Sequence, residues 1–124
     1  MRFLKLSFYI SNLFLFIFYL YPGSISGCFL YNDCNMQPQL TRDFIIFSSN
    51  HIYVFIIFSL LGILSFKKDL KKISYYLFSV SILLELMHII IPNRGFEVAD
   101  LLGNALGVIL SLILYKLFTF RRSK

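Results

Sequence analysis

The sequence predicts an all-α membrane protein: four transmembrane helices joined mostly by short loops, with both termini on the cytoplasmic side. Three observations predict it. Hydrophobic residues fill 58% of the 124 positions and the mean hydropathy is +0.76, beyond the range of ordinary soluble domains. Four apolar runs, approximately 3–21, 44–66, 73–91 and 101–120, each approach the roughly 20 residues that a helix needs to cross the hydrocarbon core. Ten of the twelve Lys and Arg residues fall on one side of the resulting topology.

The first run follows Arg2 and Lys5 and ends before Pro22. A long connection, "YPGSISGCFLYNDCNMQPQLTRD", comes next and holds the only two cysteines, Cys28 and Cys34. Outside the cytoplasm a pair this close can close a small disulfide loop, with two free thiols as the alternative. The "ISGC" at Ile25–Cys28 is similar to a lipoprotein cleavage site. The apolar run before it is longer than the 7 to 15 residues of a signal core, so a retained first helix is expected. The second and third runs are separated by Lys67, Lys68, Lys71 and Lys72, and the third ends at Pro92 and the turn-forming "NRG". The fourth run leads to Lys116, Arg121, Arg122 and Lys124. Only Arg42 and Arg94 fall on the opposite side, so the connections around Cys28 and Arg94 are expected to face outward. The short second and third connections predict that the second, third and fourth helices pack as antiparallel neighbours.

This charge distribution also excludes a function class. Despite a net charge of +6, no soluble basic face exists to hold nucleic acid, and the expected partners are membrane lipids. The sequence reads as one domain over 1–124, without internal repeats. Tyr19, Tyr21, Tyr31, Tyr75 and Tyr76 lie near predicted interfaces, where amphipathic rings are enriched.

One stretch breaks the apolar pattern: "ELMHIIIPNRGFEVADLLGNALG", Glu85 to Gly107. Helical spacing sets Ser81, Glu85 and His88 on one face of the third helix, and Asp100, Asn104, Gly107 and Ser111 on one face of the fourth. Gly103 and Gly107 form a G-x-x-x-G spacing that permits close helix packing. A second helix beginning near Phe44 would put His51 about 10 Å below its outer end, level with Glu85. His51, Glu85, His88, Arg94, Asp100 and Asn104 are therefore expected to line one polar pocket open to the outer face, because ionisable groups at membrane depth need a partner, cavity or pathway. Arg94 can pair with Asp100 or Glu97 as a clamp, or anchor a phosphate or carboxylate through its planar fork.

These residues resemble the signature of VanZ-like proteins, small bacterial membrane proteins named for a teicoplanin-resistance factor. The family's pattern is a Glu, an Arg-x-Phe, an Asp and Asn four apart, and a Gly; here Glu85, Arg94 with Phe96, Asp100, Asn104 and Gly107 match it. His51 before "IYVFIIFSLLG" is similar to the family's histidine at the start of its second helix, and Pro22 to a proline after its first. His88 stands where the family usually has Gln. An Asp-Lys pair ahead of the histidine is replaced by Phe47 and Ser48, with Asp43 the candidate stand-in. The resemblance implies a role in the bacterial cell envelope, in the cytoplasmic membrane, including glycopeptide tolerance, and it brings no established reaction.

Three classes of function follow. The leading one is a pocket for an envelope lipid, a lipid-linked glycan or a cell-wall polymer. The second is a small membrane enzyme with Glu85 and Asp100 as acid–base groups, and the third a structural or carrier subunit without ligand. No serine elbow, activated cysteine or phosphate loop is present, so an enzyme is not the favoured reading. His51, Glu85, His88 and Asp100 are ligand types for zinc or manganese, but a single Glu-x-x-His falls short of a carboxylate-bridged bundle, and no metal or cofactor is expected.

Overall fold

The computed structural model describes residues 1–123; Lys124, counted above among the inward charges, lies outside them. Five α-helices form the described chain: α1 (Arg2–Leu20), α2 (Ile25–Tyr31), α3 (Ser49–Ser65), α4 (Leu70–Met87) and α5 (Val98–Arg122), with a 3-10 turn at Lys67–Asp69. Among the described residues there is no strand, only an isolated bridge between Phe44 and Phe47.

Two helices, α1 and α5, are long and apolar enough by themselves to cross a membrane. A third span results if α3 and α4 count as one broken span, bent by 98° where they meet. Length and composition thus return two or three spans instead of the four expected, for two local reasons. Phe44 and Phe47 exchange backbone hydrogen bonds of 2.9 and 2.8 Å, and Ile45 takes a left-handed φ of 54°. That turn uses up the start of the apolar run, so α3 begins at Ser49 and has 17 residues. At the far side, Lys71, Lys72 and Glu85 dilute the hydropathy of α4, which stops at Met87 instead of Ile91.

Asp43 fixes where α3 starts. Its Oδ1 accepts the Ser49 N–H at 3.0 Å and the Gln39 amide at 2.9 Å, satisfying one of the orphan donors of a helix start. The expected link between Asp43 and the polar pocket is replaced by this capping role. The short helix α2 was not foreseen. Ser24 caps it by accepting from Gly27 N–H at 3.0 Å, and a disulfide between Cys28 and Cys34 ties it to the following turn.

The apolar core runs along the middle of the helices and includes Phe8, Phe55, Phe58, Ile63, Leu77, Leu84 and Val108. Phe8 of α1 stacks on Phe58 of α3 with centroids 5.1 Å apart. The most extensive helix pairing is α3 with α5. It depends on Gly107, where an added Cβ would lie 2.7 Å from Phe55 Cβ and 2.8 Å from the Ile52 carbonyl oxygen. Gly103 similarly meets the Ser48 carbonyl oxygen at 2.7 Å, so the expected close-packing face of α5 lies against α3.

The ends of the helices are sorted. Ser65 Oγ at the end of α3 donates to the Leu4 carbonyl of α1, and Lys5 lies over the Phe66 ring. At the opposite end, the last turns of α1 and α4 meet the first turns of α3 and α5, and the polar residues gather there.

Candidate functional site

Each of the three central side chains sits two residues from a helix end: His51 after the start of α3, Glu85 before the end of α4, Asp100 after the start of α5. The cluster therefore lies about 3 Å inside the helix ends, shallower than the expected 9 to 10 Å, because α3 starts later and α4 stops earlier than the apolar runs suggest. His88 is no longer helical; it caps α4 with its backbone N–H on the Glu85 carbonyl at 3.1 Å.

Tyr19, on α1, is the hub. It is buried within the protein, one residue before the end of α1, and follows Phe8 and Leu15 along one helix face. Its hydroxyl donates to Asn104 Oδ1 at 2.9 Å and lies 2.9 Å from His51 Nδ1, which is itself 2.9 Å from Asn104 Oδ1. Asn104 Nδ2 donates to the Ser81 carbonyl at 3.1 Å, fixing the amide so that Oδ1 faces this triangle as an acceptor. His51 Nδ1 is then the proton-bearing nitrogen, and Nε2 faces Asp100 Oδ2 at 3.5 Å. The Tyr19 ring stacks on His88 with an interplanar angle of 15° and meets His51 edge-on.

The Glu85 side chain is 0% exposed. One oxygen accepts the Glu97 N–H at 3.1 Å. The other, Oε2, is 3.1 Å from His88 Nδ1 but lacks the alignment of a hydrogen bond. His88 Nε2 donates to the Tyr19 carbonyl at 2.9 Å, since a carbonyl can only accept.

Arg94 does not form the clamp that was one of its two expected roles. It pairs with neither Asp100 nor Glu97; its guanidinium donates to the Phe18 carbonyl at 2.7 Å and the Tyr21 carbonyl at 3.3 Å. Helix ends explain the choice. The last carbonyls of α1 have no intrahelical partner, and a cation at the negative end of the dipole is favourable. Burial draws the Arg94 guanidinium below its ordinary pKa, against the pull of Tyr19, Glu85 and Asp100.

The structure thus brings His51, Glu85, His88, Asp100 and Asn104 together, with Arg94 at the edge and Gly103 and Gly107 on the helix seam behind. Sequence reasoning missed Tyr19. The signal was its spacing, seven and four residues along the face of Phe8 and Leu15. Beside the cluster, a cavity of about 610 Å³ opens between α1 and α3, walled by Phe14, Phe18, Val54 and Ile57, with His51 and Arg94 on its lining.

The apolar helices and a buried polar cluster at their converging ends define a small all-helical membrane protein. The chain belongs to the VanZ/LLP1 family, whose model matches residues 6–119. No curated protein and no solved structure matches it.

Proposed function

We propose that this protein crosses the bacterial cytoplasmic membrane four times, with both termini inside, and binds the headgroup of an envelope lipid or lipid-linked glycan from the outer side, altering teicoplanin tolerance. The topology reading counts α3 and α4 as separate short spans of about 25 and 27 Å, close to the thickness of the hydrocarbon core. The alternation of helix ends at the cluster and the lysines at the opposite end support it. One observation carries the binding reading: the cavity is amphiphilic, with phenylalanine and aliphatic walls for a chain and His51 and Arg94 for a polar, anionic head.

The test is teicoplanin susceptibility of a sensitive host expressing the protein, against Glu85→Gln and Asp100→Asn variants at matched membrane levels. Raised tolerance that both variants lose supports the reading. Normal insertion with no change in tolerance rejects it for that host. The acid–base enzyme is the second reading, favoured by the burial of Glu85 against His88. It predicts turnover of a lipid-linked substrate that Glu85→Gln abolishes while headgroup binding persists.

A further inference from the structure

The two carboxylates of the cluster lack a fixed cation. Two donors of Arg94 are taken by carbonyls of α1, and among the described residues neither Glu85 nor Asp100 makes an ion pair with a lysine or arginine. Only the imidazoles of His51 and His88 face them. A buried carboxylate needs compensation, and Glu85 is fully buried with Oε2 short of an aligned donor.

We infer that His51, Glu85 and Asp100 form a binding site for one divalent transition-metal ion, Zn²⁺ or Mn²⁺. The three residues come from three helices, and each offers a ligand atom within 4.8 Å of the other two. Three atoms with that spacing have a common point no more than about 2.8 Å from each, so shifts of well under 1 Å bring all three to the roughly 2.0–2.2 Å of a zinc sphere. One imidazole with two carboxylates suits zinc or manganese better than an all-oxygen ion such as calcium. Two carboxylates also neutralise the ion.

The surroundings fit ligation. A metal-binding histidine gives its second nitrogen to an oxygen acceptor, which fixes its orientation. His51 Nδ1 does so, held by Asn104 Oδ1 and Tyr19 Oη while Nε2 points at Asp100. Glu85 is steadied through the Glu97 N–H. The side chains of His51 and Asp100 remain 13% and 20% exposed, which leaves a route for the ion and a face for water or an anionic ligand. Counting Glu-x-x-His motifs did not expose this site, because its ligands are assembled across helices and His88 stands outside them.

The site does not depend on the lipid-binding reading, and its test uses purified full-length protein. The protein is isolated in detergent without chelator for elemental analysis, then stripped with chelator and titrated with Zn²⁺ and Mn²⁺ by calorimetry and thermal unfolding. The expected result is close to one metal per chain, or one-site binding of Zn²⁺ or Mn²⁺ with a rise in the unfolding midpoint. Asp100→Asn and His51→Ala weaken binding at least tenfold while far-UV circular dichroism shows helices retained, and Asp69→Asn, at the opposite ends of the helices, leaves binding unchanged. Absence of metal as isolated, together with no saturable binding by the stripped wild-type protein, overturns the inference. Binding that survives both ligand substitutions overturns it too, since the ion would then sit elsewhere.

Discussion

Tyr19→Phe isolates one oxygen atom at the centre of the cluster. The phenyl ring keeps the volume of Tyr19 and its stacking on His88, so only the hydrogen bonds of the hydroxyl to Asn104 and His51 are lost. The size of the loss depends on what remains paired. Asn104 Oδ1 and His51 Nδ1 stay 2.9 Å from each other, so neither is orphaned, and the cost is the net worth of the removed bonds, about 1–2 kcal/mol. Asn104→Leu behaves differently. It removes one acceptor of the Tyr19 hydroxyl and the bond to the Ser81 carbonyl, and the hydroxyl is left to His51 Nδ1, which accepts only if the imidazole moves its proton to Nε2, so a larger loss of about 2–3 kcal/mol is expected. Unfolding by SDS titration in mixed micelles, followed by far-UV circular dichroism, measures both. A neutral Tyr19→Phe, or one as damaging as Asn104→Leu, refutes the three-way arrangement.

Gly107→Ala places a methyl against Phe55 Cβ and the Ile52 carbonyl, forcing α3 and α5 apart; a loss of about 1–3 kcal/mol is expected in the same titration. Gly95→Ala, where nothing lies within 4 Å, is the matched control and should show no packing cost. Cys28→Ser opens a loop with a sequence separation of six, and loop-closure entropy sets the expected cost at about 2 kcal/mol, read as a lower unfolding midpoint. In cells, maleimide labelling of Cys34 only after reduction is expected if this loop lies outside the cytoplasm.

Much of the fold was legible because hydropathy and charge act over whole segments. The runs at 3–21 and 101–120 correspond closely to α1 and α5, where nothing competes with the helix. Segment ends were less legible. Residues 44–47 are as apolar as any in the chain, yet a pair of local backbone hydrogen bonds and the Asp43 cap start α3 five residues later. No average over 20 residues registers that competition. α2 escaped for the opposite reason: seven residues are too few for periodicity to speak, and a disulfide and a serine cap hold them.

The candidate site was legible as a set of residues and not as a set of bonds. Spacing put Ser81, Glu85 and His88 on one face and Asp100 and Asn104 on another, but partner choice follows from helix ends, which spacing does not report. Arg94 illustrates the rule. Opposite charges nearby suggested a salt bridge, whereas the unpaired carbonyls at the end of α1 offered it two acceptors and a favourable dipole. His88 obeys the same rule, with Nε2 on the Tyr19 carbonyl. Arg94 and His88 are therefore both partly committed to closing α1. That commitment leaves Glu85 and Asp100 available for another cation, and it places the end of α1 where any change in ligand or metal at the cluster would be felt.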